Sequence, residues 1–382
     1  MQFTIIANPE NRRCQYFVEA VHAAGLPPVQ VVSYVDVLNN QVDWDTILTN
    51  TDSLRIESFG ENFEVWRKLV LRGNRIEPDL SQQITAEHEI KSLVFEQGRI
   101  QYSKQLYQGY QHWLQDLQQK LDAYPAVQVM NSPKSIALMF DKMACHQHFS
   151  NHQISVVPAL PRVVNYTDLR QQMTAKGWNR VFVKLNYGSS ASGVLALRVN
   201  GDKIQATTSV ELIKTLHGVK LYNSLQVKQY TNESDIALII DILAQEDLIV
   251  EKWIPKATSE DGIFDLRIVV IDGKPDYTVV RQSQLPMTNL HLGNKRGTAK
   301  AIQELIGIEK WQSLHDLATQ AVQTLPNTLY AGVDVLLSSN YKQQYVLETN
   351  AFGDLLPHVL RDDLDTYQAT VKAAIARWKA NQ

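Results

Sequence analysis

Apolar and polar positions in the first 130 residues alternate between the period of a strand and the period of a helix. The pattern predicts strands at residues 3–7, 29–34, 54–57 and 127–130, and helices at residues 12–24 and 63–71. Gly25 and Pro27 end the first helix, because neither residue continues a helical turn well. Strands that alternate with helices favour a parallel sheet. Between the later elements, residues 84–121 have the spacing of one or two amphipathic helices, which form a helical insert at about residues 80–123.

The pattern changes at Asn131. Ser132 and Pro133 open a helix that should run to about residue 152, because serine caps helices and proline suits their first turn. Strands are then predicted at residues 180–185, 193–199 and 225–229. The turn signal at Asn200 and Gly201 indicates that this second unit is mostly antiparallel.

The last third of the chain is predicted to contain hairpins and helices. Turn signals lie at residues 272–273 and 339–340, a helix is expected at about residues 299–324, and a final helix ends near Trp378. We therefore expect an α/β (α+β) protein with three units. They are an N-terminal α/β domain at residues 1–130, a small antiparallel subdomain with its linking helix at 131–250, and a C-terminal α+β subdomain at 251–382.

Composition narrows the class of protein. The chain has 382 residues, 44% hydrophobic and 20% charged, which is ordinary for a soluble globular protein. Its formal net charge of -3 gives no overall attraction to nucleic acid or to an anionic membrane. Cys14 and Cys145 are too few for a disulfide framework, and neither a signal peptide nor an apolar run of membrane length is present. We expect a cytoplasmic protein whose partner is neither a nucleic acid nor a membrane.

Three oxygen-bearing side chains stand out near the C-terminus. Asp334 lies in a predicted strand at residues 331–337, Glu348 ends the next strand at residues 344–348, and Asn350 follows two residues later. A short turn joins the two strands, so these side chains should lie close together. Two carboxylates and an amide suit Mg²⁺, with Mn²⁺ as the alternative, and a metal that keeps phosphates among its ligands makes ATP a candidate. Turn capping is the competing interpretation.

A glycine loop follows a strand that ends in a lysine. Lys184 closes VFVK, and the following LNYGSSASGV has small residues that let backbone amides approach phosphate. The candidate phosphate-binding residues of the loop are Gly188, Ser189, Ser190 and Gly193. The spacing of GSSASG is that of a Walker A loop, but Val194 and Leu195 stand where lysine and serine or threonine are required. Lys142, in the upstream segment MFDKMACH, is a second candidate phosphate ligand.

The order of these features over residues 130–360 resembles the ATP-grasp superfamily, and most of all its glutathione synthetase, D-alanine ligase and RimK-type members. The resemblance implies that Lys142 and Lys184 contact the phosphates of ATP. It also implies that Asp334, Glu348 and Asn350 bind magnesium.

Other segments match the nucleotide-binding and catalytic positions of this family. The segment LIVEKWIP resembles the strand that joins the two ATP-grasp subdomains and lines the adenine pocket. Its residues at that pocket are Glu251, Lys252, Trp253 and Ile254. Asp265 in FDLR matches the acidic position beside the ribose, and Arg267 and Arg281 resemble arginines that face the γ-phosphate and the acyl-phosphate. Asn289 resembles the asparagine of an N-L-x-x-G-G turn, in which Asn294 replaces the second glycine.

The resemblance implies that ATP activates a carboxylate as an acyl-phosphate, which an amine then attacks. The substrate would be an amino acid or a peptide, and the glycine loop would close over the nucleotide as a lid. Dimers are common in this fold, so a homodimer is one expectation. Two other functions stay open: a kinase that phosphorylates a small-molecule hydroxyl, and a non-catalytic nucleotide-binding protein.

Two further clusters of side chains are alternative candidates for a functional site. Cys145, His148 and His152 share a helical face with a spacing that zinc could use, but they lack a fourth ligand, and a structural role is preferred. Four aromatic residues of the insert are Tyr102, Tyr107, Tyr110 and Trp113. They could form a substrate wall, although packing into a core suits an amphipathic helix better. His291 and His358 lie near the predicted site and are not assigned to it.

Overall fold

The computed structural model describes residues 1–74, 85–188, 191–216, 218–352, 356 and 359–382, and of His291 only the backbone. Across these residues the strands form three sheets, which use residues 3–129, 180–252 and 258–350. Helices cover the sheets, so the fold is mixed α/β. Within the same residues, no helix combines the length and the hydropathy needed to cross a lipid bilayer.

The N-terminal unit is a parallel sheet with helices around it. Its strands are β1 (Phe3–Ala7), β2 (Gln30–Ser33), β3 (Ser53–Ile56) and β4 (Gln128–Val129). Its helices are α1 (Arg12–Ala23), α2 (Tyr34–Leu38), α3 (Trp44–Thr49), α4 (Phe63–Asn74), α5 (Glu87–Ser92) and α6 (Ser103–Leu121). The strand order is β2-β1-β3-β4 and every pair is parallel, which confirms the prediction.

Two glycines let α4 and α6 approach each other at the backbone. A Cβ on Gly109 would lie 1.9 Å from the carbonyl oxygen of Leu69, and a Cβ on Gly73 would lie 1.9 Å from that of Gln105. No side chain can occupy either position at this separation. The insert is therefore packed tightly against the N-terminal domain.

The segment that links the first two units contains two helices rather than one. They are α7 (Pro133–Phe140) and α8 (Lys142–Asn151). The single helix predicted to run to about residue 152 is wrong, because Asp141 adopts an extended conformation. Its side chain accepts a hydrogen bond from the Ala144 backbone at 2.9 Å and so caps α8. This break makes Lys142 the first residue of α8.

The middle unit is an antiparallel sheet with two helices. Its elements are α9 (Tyr166–Ala175), β5 (Arg180–Leu185), β6 (Leu195–Asn200), β7 (Lys203–Thr215), β8 (Gly218–Tyr230), α10 (Glu233–Ala244) and β9 (Leu248–Lys252). The order is β8-β7-β6-β5-β9. The sequence pattern predicts only a short part of the β7–β8 hairpin and none of α10. Ile213 is 39% exposed and Leu225 is 74% exposed, so this hairpin lacks the apolar alternation that burial of one face imposes.

The C-terminal unit is a second antiparallel sheet. Its strands are β10 (Thr258–Ser259), β11 (Gly262–Ile271), β12 (Lys274–Ser283), β13 (Lys295–Gly297), β14 (Tyr330–Leu337) and β15 (Gln344–Asn350). Its helices are α11 (Ala299–Ile306), α12 (Ile308–Thr324) and α13 (Thr366–Ala380), with a 3₁₀ turn at Leu290–Leu292. The order is β13-β12-β11-β14-β15, and β10 pairs with the start of β11. The single helix predicted at residues 299–324 is wrong, because Gly307, with a φ of 83°, separates two helices.

Strand β11 is buried on both faces, and this determines where the site lies. Leu266 and Ile268 belong to the core that α12 covers, whereas Val269 and Ile271 pack with the N-terminal sheet. Side chains alternate between the two faces of a strand, so odd-numbered positions share the second face. Asp265 therefore lies on the face that looks toward the N-terminal domain.

Candidate functional site

Five charged side chains share one face of the C-terminal sheet. Arg267 on β11 lies opposite Asp334 on β14, and Asp334 lies opposite Glu348 on β15. Along the other edge of β11, which pairs with β12, Asp265 lies opposite Arg281. Residues that are directly opposite in neighbouring strands project from the same face. The strand register thus brings together five residues that span 84 positions of the sequence, from 265 to 348.

Two arginines hold Asp334. Arg267 donates to both of its carboxylate oxygens, and Nη2 of Arg281 lies 3.0 Å from Oδ2. Gly332 leaves room for this contact, because a Cβ there would lie only 3.2 Å from Cδ of Arg267. Burial alone would raise the pKa of Asp334, but the charges of Arg267 and Arg281 lower it below its ordinary value. The carboxylate is therefore ionised at neutral pH.

Asp265 is the most deeply buried of these five side chains and is not among the residues that line the cavity. Its side chain is 1% exposed, and its oxygens accept from Nε of Arg281 and from Nζ of Lys256, each at 2.7 Å. The hydroxyl of Thr288 donates to the same carboxylate. Burial would raise the pKa of Asp265, but Arg281 and Lys256 lower it far below the usual range. Asp265 is not among the residues that line the cavity, and its place beside a ribose stays a prediction.

Lys256 is a site residue that the sequence does not indicate. It is 9% exposed, and burial lowers its pKa from the ordinary value despite the attraction of Asp265. In the sequence it is a single lysine beside Pro255, with no periodic pattern to mark it. Only the fold shows that its side chain reaches the charged face.

Glu348 and Asn350 lie beside Asp334 at the end of β15. With the amide of Asn350 oriented to suit its neighbours, its nitrogen donates to Oε1 of Glu348 at 2.8 Å and its oxygen accepts from Arg267 at 3.3 Å. Nζ of Lys142 lies 3.9 Å from Oε2 of Glu348 and donates a hydrogen bond to the backbone oxygen of Gly188. Lys142 therefore connects the charged face of the sheet to the glycine loop.

Lys184 forms an ion pair across two strands of the small sheet. Its Nζ lies 2.6 Å from Oε2 of Glu251, and both side chains are largely buried. Burial alone would lower the pKa of Lys184, but the charge of Glu251 raises it above the ordinary value. Lys184 thus carries a positive charge at the base of the glycine loop.

The glycine loop is anchored by a buried asparagine. Asn186 is 0% exposed; its amide donates to Asp141 at 2.9 Å and its oxygen accepts from the Met143 backbone at 2.7 Å. Gly193 has a φ of 67°, and a Cβ there would lie 2.6 Å from Cγ of Leu185. The predicted phosphate ligands Ser189 and Ser190 lie outside the described residues.

The turn after Asn289 keeps its shape without a second glycine. Gly293 supplies the left-handed conformation, with a φ of 75°, and Asn294 has no positive φ. Instead, the amide of Asn294 donates to the backbone oxygens of Met287 at 2.7 Å and of Asn289 at 2.9 Å, while its oxygen accepts from Ser283 at 2.7 Å. Asn294 therefore stabilises the turn that places Asn289 at the cavity.

A cavity of about 700 Å³ lies where the three units meet. The predicted site residues that line it are Lys142, Lys184, Gly188, Glu251, Lys252, Ile254, Arg267, Arg281, Asn289, Asp334, Glu348 and Asn350. Trp253 lines a smaller pocket nearby instead. Among the described residues of the large cavity are nine lysines and arginines and four carboxylates, so its field attracts anions.

The side chains of the two alternative candidate clusters make structural contacts within the fold. Sγ of Cys145 lies 3.2 Å from the hydroxyl of Thr349, and His148 contacts the backbone oxygen of Thr324 at 3.0 Å. Tyr110 and Trp113 are buried in the core, and the ring of Tyr107 stacks on Tyr187 with centroids 4.3 Å apart. The side chain of His291 and the whole of His358 lie outside the described residues.

Comparison with known families identifies the chain. The model of the YheC/D-like ATP-grasp family matches residues 134–354, which is more than half of the sequence. The chain belongs to this YheC/D-like ATP-grasp family. The matched segment contains every site residue predicted from the sequence, whereas the N-terminal domain lies outside it.

Solved structures show the same fold over nearly the whole YheC/D-like chain. The ATP-grasp ligase PsnB in complex with a minimal precursor is 13% identical, with 98% of this chain and 99% of that chain covered and a TM-score of 0.52. D-alanine–D-alanine ligase from Bacillus anthracis in complex with ATP is 11% identical, with 100% and 99% covered and a TM-score of 0.53. N5-carboxyaminoimidazole synthetase from Staphylococcus aureus is 12% identical, with 98% and 78% covered and a TM-score of 0.55.

No curated protein matches the chain. At identities this low, the solved structures establish the fold and not a substrate. The predicted architecture is confirmed: an ATP-grasp fold with an N-terminal α/β domain, a small antiparallel subdomain and a C-terminal α+β subdomain. The family and the fold together support an ATP-dependent ligase in general terms.

Proposed function

We propose that this YheC/D-like ATP-grasp protein activates a carboxylate as an acyl-phosphate and joins it to an amine. The observation that carries the proposal is the juxtaposition, on one cavity face, of Asp334 and Glu348 with the cations Lys142 and Arg281. Acidic metal ligands beside phosphate-binding cations suit phosphoryl transfer from ATP. The names of the similar structures, which include D-alanine–D-alanine ligase and PsnB with its precursor, favour an amino acid or a peptide as substrate.

The residues at the end of β15 fit a magnesium ion. Glu348, Asp334 and Asn350 supply two carboxylates and an amide oxygen, and the Glu348 side chain is 26% exposed to the cavity. A carboxylate has about four acceptor positions, so Asp334 can keep its arginines and still bind a cation. Among the described residues no group of three or more His, Cys, Asp or Glu could hold a metal, so nucleotide oxygens would have to complete the coordination. The ion, Mg²⁺ or Mn²⁺, would neutralise phosphate charge.

The cations of the cavity are placed to hold phosphate in position. Lys142 and Lys184 approach from the helix and the small sheet, while Arg281 comes from the opposite sheet. In our proposal they stabilise the charge that develops as the phosphoryl group moves to the substrate carboxylate. The transfer breaks the bond between the β-γ bridging oxygen and the γ-phosphorus and leaves ADP. The amine then attacks the acyl carbon and inorganic phosphate leaves.

Adenine is proposed to lie at the junction of the two sheets. Glu251, Lys252 and Ile254 line the cavity, and so do the apolar side chains of Phe182 and Leu336. The glycine loop, which contacts Lys142 through Gly188, is proposed to close over the phosphates. Closure would exclude water, which otherwise hydrolyses an acyl-phosphate.

Replacing Glu348 by glutamine tests the proposal. The amide keeps the size of the side chain but removes one negative charge from the metal site, so we expect ADP formation to fall by about 100-fold or more, or at least about 2.7 kcal/mol. Glu260→Gln, at an exposed turn outside the cavity, is the matched control. An unchanged rate of ADP formation in Glu348→Gln would refute the role of this carboxylate.

The acceptor can be sought with pools of amino acids and peptides, each tested with and without an amine. A ligase forms an amide and releases free phosphate, whereas a kinase would leave a stable phosphorylated product. ADP release that never depends on an added acceptor would argue against both transfer reactions.

A further inference from the structure

The cavity extends beyond the nucleotide end to the N-terminal domain. Asn11, Arg12, Arg13 and Tyr16 from the start of α1 line it there, together with residues 58–61. All of them precede the segment that matches the YheC/D-like family, which begins at residue 134. The nucleotide-binding part of the fold therefore does not account for the charges at this end.

Helix α1, which carries these side chains, is capped at its start and packed into the N-terminal core. Asn11 caps the helix by accepting from the Arg13 backbone at 2.9 Å, and Phe17 and Val21 bury one side of the helix in the N-terminal core, away from Arg12. The ring of Tyr16 packs against Tyr367, with centroids 5.5 Å apart, and both rings line the cavity. The arginines thus project from a rigid element and not from a free loop.

These arginines have no acidic partner within the described part of the chain. Neither Arg12 nor Arg13 forms an ion pair there, and the carboxylate that lines the cavity beside them is that of Glu61. Glu61 accepts a hydrogen bond from the amide of Asn11 at 3.4 Å. Two cations beside one carboxylate leave an excess positive charge at this end of the cavity.

Arg296 is a third arginine of the same cavity. Arg296 on β13 lines the cavity and lies directly opposite Arg281 on β12. Like charges opposite each other on neighbouring strands destabilise a sheet, unless a negative charge lies between or above them. Arg281 has Asp265 and Asp334, whereas Arg296 has no ion pair within the described residues. Arg296 therefore adds a positive charge to the cavity that no carboxylate of the described residues pairs with.

We propose that the acceptor substrate carries a second carboxylate, in addition to the one that is activated, and that Arg12 and Arg13 bind it. The planar guanidinium group forms paired hydrogen bonds with a carboxylate, which makes arginine suited to this recognition. The substrate class would be an acidic amino acid or a peptide with a free carboxylate at the matching distance. The identity of the activated group rests on the proposed function, but the binding of the second carboxylate does not require turnover.

Binding calorimetry can test this subsite with small probes. The protein is saturated with Mg²⁺ and a non-hydrolysable ATP analogue, and then titrated with succinate, glutarate and adipate and with the monoamide of each. A charge-assisted hydrogen bond from arginine predicts that at least one diacid binds about tenfold or more tightly than its monoamide. In the double variant Arg12→Gln/Arg13→Gln the preference should disappear, while the affinity for the ATP analogue stays within about twofold.

The controls distinguish a specific loss of the carboxylate subsite from a general loss of positive charge or of folded protein. Arg198→Gln removes an exposed arginine of β6 that pairs with Gln205 outside the cavity, and it should behave as the wild type. If the double variant is unstable, the single variant Arg12→Gln, at an exposed position, replaces it and should lose part of the preference for the diacid. Equal binding of every diacid and its monoamide, a preference that survives in the double variant, or no diacid binding up to ~10 mM would each overturn the proposal.

Failure of the ligase chemistry would be seen separately. A protein that prefers diacids but never releases ADP would support the carboxylate subsite and contradict the proposed ligase reaction. Where ADP release is found, the double variant should raise KM for the acidic acceptor about tenfold or more and leave kcat nearly unchanged, because in the proposal these arginines bind the second carboxylate and not the reacting one.

Discussion

Replacing Asp265 by asparagine should destabilise the C-terminal subdomain and reduce turnover together. The carboxylate is 1% exposed and accepts from Lys256 and Arg281, each at 2.7 Å. Asparagine has nearly the same shape but no charge. Both cations would then stay buried without the negative charge that they share.

The size of the effect follows from these contacts. At an effective dielectric constant of about 20, unit charges about 3 Å apart attract by about 5 kcal/mol. Much of that attraction offsets the desolvation of the three groups, and removing one partner of a buried ion pair costs about 3–5 kcal/mol. We expect Asp265→Asn to fall in this range, near its lower end, since Arg281 keeps Asp334 as a partner. Against a total stability of about 5–15 kcal/mol, the loss is large.

Urea unfolding, followed by far-UV circular dichroism and by tryptophan fluorescence, measures the change. Asp276→Asn is the matched control, because Asp276 is exposed on the same strand as Arg281. The rate of ADP release should also fall, as Arg281 loses the carboxylate that orients it. A stability loss below about 1 kcal/mol, equal to that of the control, would refute the view that Asp265 neutralises the two cations.

Three further predictions concern other charges of the site and the core. The charges of neighbouring arginines and of Lys256 outweigh the effect of burial and hold the pKa values of Asp265 and Asp334 below the ordinary 3.8. The folding stability that these two carboxylates contribute is complete above pH 3.8 and is lost as the pH falls through their folded-state pKa values. The unfolding free energy should therefore fall below about pH 4, and less steeply in Asp265→Asn, whereas identical slopes would contradict this assignment. Lys184→Met should weaken binding of an ATP analogue about tenfold or more in calorimetry, because the substitution removes a cation from the phosphate site and leaves Glu251 without its ion-pair partner. An equal affinity would make Lys184 a structural residue. Arg55→Met should cost about 3–5 kcal/mol in urea unfolding, because Arg55 is 0% exposed and forms a buried ion pair; a loss within about 0.5 kcal/mol would contradict this.

Local patterns indicate most elements of the fold but not where helices break. The strand at Phe3–Ala7 is apolar apart from Thr4, and its burial on both faces is typical of a parallel sheet. The breaks at Asp141 and Gly307 depend on single residues whose extended or left-handed conformation competes with helix continuation. The outer part of the β7–β8 hairpin is exposed on both faces and so has no periodic pattern to detect.

The amino-acid sequence alone predicts the part of the site that is local in the chain. Asp334, Glu348 and Asn350 lie on two strands joined by a short turn, so the hairpin register alone brings them together. Family likeness added the cations that contact this hairpin, but not the position of Asp265, which became a buried counter-charge when β11 paired with β12. Similarly, only the docking of the N-terminal domain brings Arg12 into the same cavity. Contacts between distant segments depend on sheet register and domain packing, which no short stretch of residues encodes. Which charges are paired, and which are left for a ligand, therefore follows from the folded chain.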